Sequence, residues 1–290
     1  MINLGDDMLV NMTKMLNDAR VGKYAVAHFN INNLEWTKFI LEKVEELHIP
    51  VILGVSEGAA KYMGGYKTVA DMVRDLHDYL NVTVPVAIHL DHGSSFDVCK
   101  EAIDAGFTSV MIDASKYELD ENIKIVQKVV EYAKIRNVSV EAEVGHVGGQ
   151  EDTVNSGILY AEVDDCVRFV KETGIDFLAP ALGSVHGPYK GEPNLQYDRM
   201  QEISEKTQVP LVLHGGSGLT PDMFKRAISC GTCKINVNTE LQQVWTKDVR
   251  LLLNNDGEVY DPRKVIKGGE KAIKDKIEEL VNIFGTKKID

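Results

Sequence analysis

The chain has 290 residues, of which 44% are hydrophobic, 26% charged and 7% aromatic, enough apolar material for a large core. Its formal net charge of −12 argues against a nucleic-acid binder, whose affinity starts from attraction to phosphate. Any anionic ligand must therefore be met locally, by backbone N–H groups, a few cations or a metal. No apolar run reaches the ~18 residues of a membrane span, and the first ten residues carry Asp6 and Asp7 in place of a basic leader. Four cysteines (Cys99, Cys166, Cys230, Cys233) are too few for a disulfide scaffold, and the lone CxxC of Cys230 and Cys233 reads as buried thiols beside a strand. The expected compartment is the cytoplasm.

Short β-branched runs mark predicted strands at 25–29, 50–55, 86–90, 109–112, 138–144, 177–182, 210–213 and 234–237. Amphipathic stretches separate them. In one, Ile123, Val126, Val130 and Ala133 form a stripe interleaved with Glu121, Lys124, Lys128 and Lys134. A last helix, 262–284, keeps the same rhythm with Ile273, Ile277, Leu280 and Phe284. Eight strands alternating with helices imply parallel βαβ units. A doubly wound sheet would carry a glycine fingerprint after its first strand, and Asn30-Ile31-Asn32-Asn33 is not one; no Walker loop is present either. The expected fold is α/β, a (β/α)8 TIM barrel with an additional C-terminal helix, as a single domain over residues 1–290.

Polar residues gather at the carboxyl ends of these strands. Asn30 follows the first, Ser56 the second, Asp91 and His92 the third, and Asp113 the fourth. Glu141 and Glu143 end the fifth; His186 and His214 follow the sixth and seventh; Asn236 and Asn238 close the eighth. Taken singly, each is an ordinary loop polar group or helix cap. In a closed barrel they converge on one mouth, the face where such barrels do chemistry. His92, His186 and His214 come from three strands and can meet around one ion, matching a catalytic zinc site with three protein ligands and one open position. Of the other histidines, His48 and His77 read as solvated, His28 and His89 as hydrogen-bonded packing inside strands, and His146 as ambiguous. Gly215-Gly216-Ser217-Gly218 and Asn236-Val237-Asn238-Thr239 follow the seventh and eighth strands, where barrel enzymes cradle phosphate with backbone N–H groups and a helix N-terminus.

These segments closely resemble the class II, metal-dependent fructose-bisphosphate aldolases, in the shorter branch that includes tagatose-bisphosphate aldolases. The resemblance runs from about Ala25 to the last helix. It rests on His89-Leu-Asp-His-Gly93, Val140-Glu-Ala-Glu143, Gly148-Gly-Gln-Glu-Asp152, Gly183-Ser-Val-His-Gly-Pro-Tyr-Lys-Gly191, His214-Gly-Gly-Ser-Gly218, Lys234-Ile-Asn-Val-Asn-Thr-Glu240 and Tyr260-Asp-Pro-Arg263. It implies a glycolytic and gluconeogenic aldolase that reversibly cleaves fructose 1,6-bisphosphate to dihydroxyacetone phosphate and glyceraldehyde 3-phosphate. The alternatives are the tagatose epimer or, more remotely, a metal-dependent sugar-phosphate isomerase. A catalytic Zn2+, often a monovalent Na+ or K+, and a homodimer or homotetramer are also implied.

Carried over by motif, His92, His186 and His214 bind the zinc, and Asp113 and Glu143 match a second metal position. Asp91 is the acid/base at the hydroxyl that becomes the aldehyde, and Glu151 moves the proton at the enediolate carbon. Gly187, Gly215, Gly216, Ser217, Asn236, Asn238 and Thr239 hold dihydroxyacetone phosphate, with Asn30, Lys190 and Val237 completing the substrate set. Arg263 and Ser56 meet the far phosphate. A lysine Schiff base is the other way to stabilise the carbanion. Lys234, at the wrong end of its strand, and Lys190, beyond His186, are poorly placed for it.

Overall fold

Successive βα units wind into a closed barrel of eight parallel strands among the described residues, with spatial order β1-β11-β10-β8-β5-β4-β3-β2. The strands are β1 (Val26–Asn30), β2 (Val51–Ser56), β3 (Val86–Gly93), β4 (Ser109–Ile112), β5 (Ser139–Val144), β8 (Phe177–Pro180), β10 (Leu211–Leu213) and β11 (Thr232–Val237). The computed structural model describes residues 9–151, 154–156, 159–187, 189 and 191–289. The expected (β/α)8 barrel is the observed one, and every predicted strand lies on one of these eight.

Period-two pleating sorts each strand into two faces. Outward residues such as Leu53, Ile88, Leu90, Val110, Val140, Ala142 and Ile235 pack against the helical layer in the main core. Inward residues form layers. The lowest is apolar: Val26, Ile52, Ala87, Phe177 and Val212 join Met12, Met15, Leu16 and Ala19 in a second cluster. The last three of those belong to α1 (Thr13–Gly22), which plugs the bottom of the barrel. The middle layer is polar, with His28, His89, Glu141 and Lys234 all fully buried.

Several helices of the outer ring are capped at their start by a local side chain. Asn33 caps α2 (Leu34–Leu47) by accepting from Trp36 N–H at 2.8 Å. Ser95 and Thr220 likewise cap α5 (Phe96–Ala105) and α9 (Pro221–Ser229), the latter with proline in its first turn. On α4 (Tyr66–Leu80), His77 is buried rather than solvated, because it extends the inward face of Tyr66, Ala70 and Val73. The expected last helix is two, α11 (Pro262–Lys267) and α12 (Glu270–Phe284), separated by the poor helix formers Gly268 and Gly269. A small sheet outside the barrel, β7 (Val154–Ser156), β6 (Gly148–Glu151) and β9 (Val185–His186), rises from the carboxyl side.

His89 is hydrogen-bonded as expected, its Nδ1 lying 2.9 Å from Ser109 Oγ. His28 is not: both ring nitrogens are buried without a hydrogen-bond partner among the described residues. Its ring fits because the neighbouring strand, β2, carries Gly54. A Cβ there would lie 1.7 Å from His28 Nε2. Gly54→Ala is therefore expected to destabilise the fold by about 1–3 kcal/mol through overpacking, read as a lower urea midpoint. Combining it with His28→Ala should recover most of the loss, and a wild-type midpoint for Gly54→Ala alone would contradict this packing.

Candidate active site

Strand ends deliver the rim. Asn30, Asp91 and Asn236 close inward-facing columns of β1, β3 and β11, and they meet: Asn30 Nδ2 donates to Asp91 Oδ2 at 2.9 Å, and Asn236 Nδ2 donates to Asp91 Oδ1 at 3.3 Å. Asp91 is 1% exposed, so its carboxylate is held rigidly by two amides that only donate to it.

His92 breaks the pleat. With His89 and Asp91 facing inward, regular alternation would turn His92 out toward the helices. The β3–β4 register instead skips between Leu90 and Gly93, and His92 has φ 51°, a left-handed conformation uncommon for a residue with a side chain. The irregularity swings its ring into the mouth beside its neighbour Asp91. There Asp113 Oδ2 accepts from His92 Nδ1–H at 2.9 Å, which directs His92 Nε2 to within 2.9 Å of His214 Nδ1. His186 enters from the small outer sheet, where Gly149 pairs with it, rather than from a barrel strand. Ring centroids lie 4.6 Å (His92–His214), 5.0 Å (His92–His186) and 5.7 Å (His186–His214) apart. One ligand nitrogen from each falls within 4.8 Å of the others. His92, Asp113 and Glu143 form a second such group sharing His92.

Beside the histidines is a cavity of ≈ 240 Å³ lined by Asn30, His186, Gly187, Gly215, Gly216, Ser217, Asn236, Asn238, Thr239 and Gln242. Its glycine loop is locked in place. Gly215 has φ 65°, and a Cβ there would lie 2.2 Å from the Val185 carbonyl oxygen, so only glycine lets this loop lie against β9. The Tyr189 hydroxyl donates to the Gly215 carbonyl at 2.8 Å, and Ser217 Oγ accepts from Glu240 N–H at 3.2 Å. That last bond joins the loop to the first turn of α10 (Thr239–Asn255), whose N-terminus aims positive potential at the cavity.

Several predicted site residues stand apart. Ser56 caps α3 (Glu57–Tyr62), accepting from Ala59 N–H at 3.2 Å, and does not line the cavity. Val237 packs its side chain into the outer core. Arg263 is on the surface, forked onto Asp261 at 3.1 and 2.8 Å. Glu151 lies on β6, but its side chain falls outside the described residues, as does Lys190. Gln242, one helical turn after Thr239, lines the cavity and was not anticipated; its i, i+3 spacing from the phosphate loop is the signal that could have found it. The ambiguous His146 packs behind the site, with Nδ1 2.9 Å from Ser115 Oγ and 3.8 Å from Glu143 Oε1.

Residues 10–288 match the family model described as fructose-bisphosphate aldolase class-II. The chain belongs to that family. It is 62% identical over 279 residues to a fructose-bisphosphate aldolase of Geobacillus stearothermophilus, covering 96% of this chain and 97% of that one. A fructose-bisphosphate aldolase of Staphylococcus epidermidis is 59% identical, with coverage of 96% and 98%. Among solved structures, the YdjI aldolase of Escherichia coli K12 superposes with a TM-score of 0.83 at 31% identity, covering 96% of this chain and 98% of that one.

The family is metal-dependent, and the residues here fit a divalent ion. Three imidazoles bring their ring nitrogens close to one another, and Glu143 Oε2, in the adjoining group that shares His92, is buried with no hydrogen-bond partner among the described residues. Burial and the neighbouring Asp113 push Glu143 up to about 8. Burial also acts on Asp113 and Glu141, but His92 for the first, and Lys234 and His214 for the second, outweigh it and hold both below the usual carboxylate range. Asp91 is held well below that range too: His28, His92, His214 and Lys234 overcome its burial. Burial lowers His28 to about 3 and depresses His89 and His214 below their ordinary 6.5.

The signs separate in pH. Depressed histidines contribute stability that is complete above pH 6.5, whereas the raised Glu143 contributes stability that is lost as pH rises through about 8. Between pH 6.5 and 8 the metal-free protein should lose about 1–2 kcal/mol, seen as a falling Tm after chelation. Glu143→Gln should flatten that fall; an unchanged slope in the variant would remove Glu143 as its origin.

Proposed function

We propose that this chain reversibly cleaves fructose 1,6-bisphosphate to dihydroxyacetone phosphate and glyceraldehyde 3-phosphate, with zinc as its metal. It acts as one (β/α)8 domain in the cytoplasm, within a homodimer or homotetramer, and Na+ or K+ completes its cofactors. The observation that carries this reading is the meeting of His92, His186 and His214 beside the fully held Asp91 and next to a glycine-lined cavity. Fructose is preferred to its tagatose epimer because the relatives at 62% and 59% identity are named fructose-bisphosphate aldolases.

Retro-aldol cleavage moves negative charge from a carbon onto a carbonyl oxygen. His92, His186 and His214 would hold zinc, with Asp113 and Glu143 offering a second metal position. When bound, zinc would supply Lewis-acid polarisation of the substrate carbonyl. Asp91, ionised and clamped between Asn30 and Asn236, takes the proton from the hydroxyl that becomes the aldehyde. Glu151, on the small outer sheet, moves the proton at the enediolate carbon. Backbone N–H groups around Gly187, Gly215, Gly216, Ser217, Asn236, Asn238 and Thr239 meet the phosphate of dihydroxyacetone phosphate, which answers how an acidic protein binds an anion. Asn30, Lys190 and Val237 complete the substrate contacts, and Ser56 and Arg263 take the far phosphate.

An imine mechanism needs a free amine. Lys234 does reach the barrel interior, contrary to its expected place at the wrong end, yet its Nζ is engaged by Glu141 at 2.8 Å. Chelation should abolish cleavage, added zinc should restore it, and borohydride with substrate should leave activity intact; borohydride inactivation would refute metal-based chemistry. A second experiment isolates Asp91. Asp91→Ala should lose about 10²–10⁴ in cleavage rate while still exchanging the carbon-bound proton of dihydroxyacetone phosphate with solvent. Normal cleavage by that variant would reassign the base.

A further inference from the structure

Beneath the histidine cluster lies a charged pair that the reaction itself does not use. Glu141 of β5 and Lys234 of β11 are both fully buried in the barrel, with Lys234 Nζ donating to Glu141 Oε2 at 2.8 Å. The other carboxylate oxygen, Oε1, accepts from His214 Nε2–H at 2.8 Å. An ionised carboxylate only accepts, so this contact places the imidazole proton on Nε2. Nδ1 is left unprotonated, and it is the nitrogen that faces His92 Nε2 at 2.9 Å and receives Asn236 Nδ2 at 3.3 Å. His89 flanks the same pair, its Nε2 3.6 Å from Glu141 Oε2 and 3.5 Å from Lys234 Nζ.

We propose that Glu141, clamped by Lys234, is a positioning residue that fixes the tautomer and ring orientation of His214 so that Nδ1 is presented to the metal. The inference rests on the reading of His214 as a metal ligand. Three features of the pair suit the task. Two anchored oxygens leave Glu141 no freedom to rotate. The ammonium cancels the carboxylate charge, so the ring is oriented without adding net negative charge below the site. Both partners also come from barrel strands, which hold position better than the segment after β10 that carries His214.

Single removals would leave one charge buried without its partner, so paired replacements carry the test. Glu141→Leu with Lys234→Met removes the acceptor and keeps the volume. Glu141→Gln with Lys234→Met keeps an acceptor for Nε2–H while also removing both charges. Each chelated protein is titrated with Zn2+ against a chromophoric competitor, and with Co2+ followed by its visible absorption bands. The Leu/Met protein should bind Zn2+ about 10–100-fold more weakly than wild type and give altered Co2+ bands. The Gln/Met protein should stay within about threefold of wild type, because its acceptor remains. Equal affinity in the Leu/Met and wild-type proteins would overturn the positioning role. Equal weakening in both double variants would do the same and assign the pair to packing alone. His214→Ala is the control for the underlying reading. If it binds Zn2+ as tightly as wild type, His214 is no ligand, an outcome distinct from failure of the positioning role.

Discussion

The interior of an eight-stranded barrel is closed to water, so a charged side chain that pleating turns inward must be answered by another. That constraint organises this protein. Val26, Ile52, Ala87, Phe177 and Val212 make an apolar floor over α1. Above it Glu141, Lys234 and His89 satisfy one another with no exposure at all. At the rim, beside the cavity, His92 and His214 meet next to Asp91. The ionic middle layer joins floor to rim: Glu141 touches Lys234 on one side and His214 on the other.

Placing a base and a metal ligand at adjacent positions is awkward for a strand, because neighbours in a regular strand face opposite ways. The register skip and left-handed backbone at His92 resolve this locally. The strain is held by the bond His92 Nδ1–H donates to Asp113. Close approach serves the same end elsewhere. Gly215 lies against Val185, one residue before His186, and Tyr189 bonds both stretches, so the phosphate loop and the histidine loop are one mechanical unit. Site geometry is thereby set by contacts between segments far apart in sequence.

Much of the barrel was legible because its signals are local. β-Branched runs and amphipathic stripes each depend on a few consecutive residues. Asn30, Asp91, Asp113 and His214 were legible for a related reason: a strand end in a closed barrel has one place to go. The plug α1 and the sheet of β6, β7 and β9 escaped notice because their partners are distant and their own patterns short. His77 was misread because charged neighbours hid its position on the buried face of α4. Lys234 was misread because its place along the strand said nothing of the carboxylate waiting across the barrel.

The sequence by itself determined the strand and helix periods, the sign of the charge, the set of groups gathered at one rim and the family those motifs resemble. These follow from covalent order and side-chain chemistry alone. Tertiary structure decided the orientations. It turned His92 inward through a register skip, brought His186 in on a strand outside the barrel and occupied Lys234 with Glu141. Direction, pairing and burial are properties of surroundings assembled from many segments, and no single stretch of chain contains them.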